Sequence, residues 1–112
     1  MLAVACSGGS SGANDPASCP NTGDLTCPSP PPSYKADIQP IIEKHCYGCH
    51  GPGGVEVSSI NLTTYAEVAR RRSDIGFQIT HCRMPQPDAG PLTLDEMKTF
   101  AEWLGPCSAP NN

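Results

Sequence analysis

The residues that are most clearly able to bind a cofactor or to react are two cysteines and a histidine near the middle of the chain. They lie in the segment Cys46-Tyr47-Gly48-Cys49-His50. The spacing C-x-x-C-H is typical of covalent attachment of c-type haem. Two thiols three residues apart at a helix end can form thioethers with two vinyl groups of one porphyrin, and the next residue, His50, can bind the iron through a neutral imidazole nitrogen. We therefore expect one haem c, attached through Cys46 and Cys49, with His50 as an iron ligand.

Three other structures use the same pair of cysteines. A zinc site needs four ligands and usually a second paired motif, and the remaining histidines and cysteines do not have zinc-knuckle spacing. A thioredoxin-like dithiol opens a helix after a strand, whereas this motif closes a predicted helix. The third alternative is a structural disulfide. Haem attachment is the interpretation that the motif favours over these three.

A helix is predicted to lead into the motif and to position it. Its apolar and motif residues follow the spacing i, i+3, i+4, i+7 and i+11 and are Ile38, Ile41, Ile42, His45 and Cys49. Asp37 is the predicted N-cap, which places Pro40 in the first turn, where the missing N–H does no harm.

Two further helices are predicted from capping boxes. Thr64 and Glu67 have this form ahead of a short helix at about 65–72, and Thr93 and Glu96 have it ahead of a final helix. The final helix carries an apolar stripe and ends at Gly105-Pro106. The stripe consists of Leu94, Met97, Ala101 and Leu104. Because no convincing alternating strand pattern occurs, the predicted class is all-α.

The composition limits both the size of the fold and its partners. The chain has 112 residues with a net charge of −4 and a pI near 5.1, and such a mildly acidic protein is a poor candidate for binding nucleic acid. No window approaches the ~18 apolar residues of a membrane-spanning helix. Aromatic residues make up only 5%. We therefore expect the haem, a large apolar cofactor, to fill the centre of a single domain.

The amino-terminal third differs from the remainder of the chain. Residues 1–33 are rich in Gly, Ser and Pro and contain no aromatic residue, which predicts a flexible, disordered linker. Residues 34–108 are the predicted folded domain and 109–112 a tail. The stretch from Met1 to Cys6 is similar to the end of a bacterial lipoprotein signal, a truncated remnant in which Cys6 would be lipidated.

From about residue 34 to 107 the chain resembles the small monohaem class I cytochromes c of bacteria. The resemblance rests on Ile38-Gln39-Pro40-Ile41-Ile42 before the haem motif, on the motif itself, and on Met84-Pro85 before a capped terminal helix. It implies a compact all-helical fold around one haem. It also implies that Met84 is the second axial iron ligand, with His81 as the rival and Met97 at helical core spacing.

Four cysteines remain after two thioethers and one lipidated residue are set aside. They allow three disulfide connectivities, of which we favour Cys82–Cys107 and Cys19–Cys27; free buried thiols are the alternative. Disulfides require an oxidising compartment, in agreement with haem attachment outside the cytoplasm.

The predicted function is electron transfer by a non-enzymatic, His/Met-ligated c-type cytochrome. Its partners would be redox proteins, it would touch a membrane only through a lipid anchor, and it would be a monomer or the haem domain of a larger redox complex. It would lie in the periplasm or on the outer surface of a bacterium. Two alternatives are a haem sensor or peroxidatic protein with a labile sixth ligand, and a zinc or disulfide structural lipoprotein. The basic run Arg70-Arg71-Arg72 is a solvated helix face, a contact to haem propionates, or a docking patch for an acidic redox partner.

Overall fold

The computed structural model describes residues 19–85 and 90–112, and within these ranges it contains helices and no strand. The all-α class is confirmed. A π-helical turn, Tyr34–Ile38, continues directly into the first α-helix. The α-helices are α1 (Gln39–His45), α2 (Tyr47–His50), α3 (Tyr65–Arg70), α4 (Arg72–Thr80) and α5 (Leu94–Leu104).

The first helical segment begins earlier than the sequence predicts. Ser33, not Asp37, is its N-cap: the Ser33 hydroxyl accepts a hydrogen bond from the Ala36 amide at 3.1 Å. A second hydrogen bond joins the same turn, in which the Asp37 carboxylate accepts from the Ser33 amide at 2.7 Å. The prediction of Asp37 as N-cap is therefore wrong, and its carboxylate satisfies the amide of the true cap instead. Pro40 does lie in the first turn of α1.

The capping signals of the later helices are confirmed more closely. The Thr93 hydroxyl accepts from the Glu96 amide at 3.1 Å, and the Glu96 carboxylate accepts from the Thr93 amide at 2.9 Å. Gly105 ends α5. Thr64 caps α3 through the Glu67 amide, but a second helix, α4, follows α3 almost without a break and was not predicted.

The core is built from the protein's own side chains rather than around a cofactor. Trp103, Phe100, Ile38 and Ile42 are almost completely buried. The Tyr34 ring lies with its centroid 5.5 Å from that of Trp103 and 5.2 Å from that of Tyr65. The few aromatic residues can serve as a core because the chain concentrates most of them in this one cluster, where the ring pairs add to the burial of apolar area.

The C-terminal residues pack on this aromatic cluster. The Trp103 indole N–H donates to the Pro110 carbonyl oxygen at 3.0 Å, and the Tyr65 hydroxyl donates to the Ala109 carbonyl oxygen at 2.6 Å. Ala109 is buried. The backbone that follows α5 thus satisfies the indole N–H of Trp103 and the hydroxyl of Tyr65.

Within residues 19–85 and 90–112, two disulfides join cysteines that are both described, and they are not the predicted ones. Cys19 is bonded to Cys82 and Cys27 to Cys107, with Cα–Cα distances of 5.7 and 4.9 Å. The predicted pairs, Cys82–Cys107 and Cys19–Cys27, are wrong because residues 19–27 run along the domain, where Leu25 packs against the core. The bridges hold this stretch at the end of α4 and beyond the end of α5. They also indicate an oxidising location outside the cytoplasm.

The predicted division at residues 33 and 108 stays a prediction. The signal-like stretch and Cys6 lie outside the described residues. In the ranges that the structure describes, no helix has the length and apolar character needed to cross a membrane.

Candidate thiol–disulfide site

The two cysteines of the motif lie on one helical turn at the junction of α1 and α2. The Cys46 amide donates to the Ile42 carbonyl oxygen at 2.8 Å, which attaches Cys46 to the last turn of α1. Its carbonyl oxygen accepts from the amides of Cys49 at 3.2 Å and His50 at 2.8 Å. The structure therefore brings Cys46, Cys49 and His50 together as the sequence predicts, on a short helix that continues from the preceding one.

The two cysteines differ in oxidation state. Cys49 is disulfide-bonded. Cys46 is the free cysteine of the part of the chain that the structure describes. Burial raises the pKa of the Cys46 thiol to about 12. Because a charged sulfur is disfavoured in an apolar environment, Cys46 is an uncharged thiol at neutral pH.

This arrangement contradicts the prediction of haem c. Covalent attachment requires the sulfurs of both Cys46 and Cys49 as thioethers, and the sulfur of Cys49 is already bonded to another sulfur. Across residues 19–85 and 90–112, no three His, Cys, Asp or Glu side chains are grouped so that they could hold a metal ion. The cofactor prediction is wrong because a five-residue motif specifies which thiols are close together but not which bonds they make.

The residues expected as iron ligands have other contacts. The Nδ1 N–H of His50 donates to the Ile60 carbonyl oxygen at 2.9 Å, and the His50 carbonyl oxygen accepts from the Leu62 amide at 3.1 Å. His50 therefore connects the end of α2 to the loop before α3, which contains Ile60 and Leu62. The backbone amide of Met84 donates to the Gln78 carbonyl oxygen at 3.2 Å, in the turn that follows α4.

His81, the rival ligand, caps the end of α4. Its ring lies parallel to the Phe77 ring, with 4.0 Å between their centroids, and its Nδ1 N–H donates to the Phe77 carbonyl oxygen at 2.9 Å. The roles of His50, Met84 and His81 as iron ligands were inferred from the expected haem. They stay predictions from the sequence.

Sequence reasoning placed His45 on the apolar face of the first helix but missed the partners of its ring. This side chain is buried between α1 and the start of α5, where Nδ1 lies 2.9 Å from the Gly90 carbonyl oxygen and Nε2 lies 3.0 Å from the Glu96 carboxylate. Its place on the apolar face of the first helix was the available signal that it is buried. Its partners lie 45 and 51 residues away, beyond the reach of any local pattern.

Glu96 is the charged centre of this contact. Partial burial acts to raise its pKa, but the hydrogen bonds from the Thr93 amide and His45, with the charges of His45 and Lys44, hold the pKa below its ordinary value of 4.5. The Lys44 ammonium lies 3.7 Å from the second carboxylate oxygen. One carboxylate thus caps α5 and connects that helix to the end of α1.

Comparison of the chain with protein-family models, with curated proteins and with solved structures finds no match. The resemblance to class I cytochromes c therefore stays a prediction from the motif and its surroundings.

Proposed function

We propose that the protein is a redox protein of the bacterial periplasm that exchanges electrons with protein partners, and that Cys46 and Cys49 form its redox-active pair. The observation that carries the proposal is the difference between two cysteines of one helical turn: Cys49 is oxidised in a disulfide and Cys46 is a thiol. Electron transfer remains the proposed function, but cysteine sulfur rather than haem iron carries the electrons, in agreement with the disulfide at Cys49.

A dithiol of the partner supplies the electrons. One partner thiolate attacks the sulfur of Cys49, so a mixed disulfide forms and the sulfur previously bonded to Cys49 leaves as a thiolate and takes up a proton. The second partner thiol then loses its proton and attacks the mixed disulfide, which releases the sulfur of Cys49, and that sulfur takes up a proton. The partner becomes a disulfide, and two electrons and two protons reach this protein.

The raised pKa of Cys46 gives the two cysteines different roles. At pH 8 a thiol of pKa about 12 has a thiolate fraction about a thousandfold smaller than one with the ordinary pKa of 9.0. Because the thiolate is the attacking form, the raised pKa of Cys46 slows its exchange with the Cys49 disulfide. Once Cys49 is reduced, the two thiols lie one turn apart, and a disulfide of an acceptor protein can oxidise them to a Cys46–Cys49 disulfide by thiol–disulfide exchange, taking up the two electrons and two protons as a dithiol.

Redox titration with peptide mapping tests the proposal. The full disulfide-bonded protein is equilibrated in thiol–disulfide buffers of increasing reducing strength, alkylated after acid quenching, and mapped by mass spectrometry. We expect Cys49 to be reduced at a potential where Cys19–Cys82 and Cys27–Cys107 are still intact, and reoxidation of the wild type to give a Cys46–Cys49 peptide. Cys46→Ser is the control that cannot form this peptide. Reduction of Cys49 only together with the two long-range bridges would refute the proposal.

A disulfide-stabilised binding protein without redox turnover is the second candidate. The raised pKa of Cys46 favours it, because reactive cysteines have lowered pKa values. The same titration separates the two functions. A binding protein of this kind would lose all its disulfides in one cooperative step and would yield no Cys46–Cys49 peptide on reoxidation.

A further inference from the structure

A buried histidine at the end of α1 faces two hydrogen-bond acceptors. His45 is 8% exposed. Its Nδ1 atom lies 2.9 Å from the Gly90 carbonyl oxygen, and its Nε2 atom lies 3.0 Å from the Oε1 atom of Glu96. A carbonyl oxygen and a carboxylate oxygen accept hydrogen bonds but cannot donate them. Both contacts therefore need an N–H from the imidazole ring.

A neutral imidazole cannot form both hydrogen bonds at once. It carries one N–H, and its other ring nitrogen is an acceptor. Whichever tautomer it adopts, a neutral His45 would turn a nitrogen lone pair toward one of the two oxygens. An imidazolium ring has an N–H on each nitrogen and can donate to both oxygens. The two distances thus fit a protonated ring.

The carboxyl group of Glu96 does not supply the missing proton. Its Oε1 atom also accepts from the Thr93 amide at 2.9 Å, and the Lys44 ammonium lies 3.7 Å from its Oε2 atom. Partial burial acts to raise the pKa of Glu96, but the Thr93 amide and the neighbouring positive charges hold it below its ordinary value of 4.5. At neutral pH the side chain of Glu96 is therefore a carboxylate, which accepts and does not donate.

The charged groups around the ring come from two helices. In the part of the chain that the structure describes, Glu96 of α5 is the titratable side chain that contacts the ring. On α1, Glu43 and Lys44 are exposed to solvent. The Cys46 thiol follows His45 in the chain and is uncharged, since burial raises its pKa to about 12. The contact with Glu96 therefore governs how the ring proton is held.

We propose that His45 is a pH-sensitive switch, which as an imidazolium joins α1 to both Glu96 and the Gly90 backbone, and which on loss of one ring proton keeps Glu96 and releases Gly90. The proton is lost from Nδ1 because a hydrogen bond to a charged carboxylate is stronger than one to a neutral carbonyl oxygen. The Gly90 carbonyl oxygen then faces a ring nitrogen without a proton, and the two atoms repel each other. This inference does not depend on the proposed function, because it involves neither Cys46 nor Cys49.

An NMR titration of the full disulfide-bonded protein, labelled with ¹³C and ¹⁵N, tests the switch from about pH 5 to about pH 9. Long-range ¹H–¹⁵N correlations report which ring nitrogens carry protons. The Gly90 carbonyl carbon is followed in carbon-detected spectra, because Pro91 has no amide proton through which it could be read. We expect both nitrogens of His45 to carry protons at the acid end and only Nε2 at the alkaline end. The Gly90 carbonyl signal should shift with the same midpoint as the His45 ring.

Three variants assign the shift to this contact. His45→Gln should abolish the pH-dependent shift of the Gly90 carbonyl signal. His50→Gln is the matched control, since the ring of His50 contacts the Ile60 carbonyl oxygen instead, and it should leave the shift unchanged. Glu96→Gln removes the charge that holds the proton on Nε2, and the new amide can donate to that nitrogen. A neutral His45 then keeps its proton on Nδ1, so the Gly90 shift should be lost in this variant too.

Each outcome supports or overturns the inference. It is overturned if the Gly90 carbonyl signal does not move with the His45 ring, or if His45 loses its proton from Nε2. A Gly90 shift as large as that of the wild type in Glu96→Gln, with the variant shown to be folded by circular dichroism, would also overturn it. Should His45→Gln fail to fold, the wild type and Glu96→Gln still decide the question. The measurement has no redox readout, so its failure leaves the titration of Cys49 standing, and failure of that titration leaves the switch standing.

Discussion

The two long-range disulfides are interleaved in the sequence, and this predicts equal losses of stability when either one is removed. Cys19–Cys82 spans 63 residues and Cys27–Cys107 spans 80. With one bridge in place, however, the shortest path between the ends of the other runs through it. Eight residues separate Cys19 from Cys27 and 25 separate Cys82 from Cys107, so that path is 33 residues in both cases.

The chain-entropy model converts these loops into free energies of unfolding. A 33-residue loop corresponds to about 3.7 kcal/mol at 25 °C, so the Cys19→Ala/Cys82→Ala and Cys27→Ala/Cys107→Ala variants should each lose about that amount. Removal of the second bridge then opens a loop of up to 63 or 80 residues, since the disulfide at Cys49 remains, for up to about 4.3–4.5 kcal/mol more. The total of up to about 8 kcal/mol is comparable with the entire stability of a small domain, so the variant lacking both bridges should be unfolded.

Urea unfolding followed by tryptophan fluorescence measures these losses, because Trp103 is the one tryptophan of the chain and is completely buried. The denaturant slope should rise as bridges are removed, since a less constrained unfolded chain exposes more surface. Losses that differ by more than about 1.5 kcal/mol between the two double variants would refute the shared-path reasoning, as would losses below about 1 kcal/mol. In either case native contacts at the individual bridges, rather than the entropy of the unfolded chain, would govern stability.

Three further changes probe the helical domain. Glu96→Gln should make the stability depend less on pH in the acid range. The lowered pKa of Glu96 stabilises the fold above pH 4.5, and this contribution is lost as the pH falls through the folded pKa. Between pH 6 and pH 3 the free energy of unfolding, measured in urea, should therefore fall more for the wild type than for the variant. Thr93→Ala should cost about 1 kcal/mol by removing the cap of α5. Thr99→Ala inside that helix should cost no stability, because alanine has the higher helix propensity, and equal losses would contradict the capping argument. Trp103→Ala should lower the free energy of unfolding by about 3–5 kcal/mol, measured by circular dichroism in urea, and a loss near zero would show that the aromatic cluster is not the centre of the core.

Features that depend on neighbouring residues could be predicted from the sequence. The Thr93 and Glu96 capping box, the end of α5 at Gly105 and the placement of Cys46 and Cys49 on one turn follow from hydrogen bonds that span three or four residues. The all-helical class follows in the same way, from periodic apolar positions. These predictions succeed because the interacting groups are close in the chain whatever the tertiary fold is.

The chemistry of the cysteines, in contrast, depends on contacts between residues far apart in the chain. Whether Cys19 pairs with Cys27 or with Cys82 depends on where residues 19–27 lie against the domain. The disulfide at Cys49 and the raised pKa of Cys46 likewise depend on sulfur contacts and burial that the C-x-x-C-H spacing does not specify. A motif places thiols near each other, but the bonds they form and the charge they carry are set by atoms that the fold brings from elsewhere in the chain.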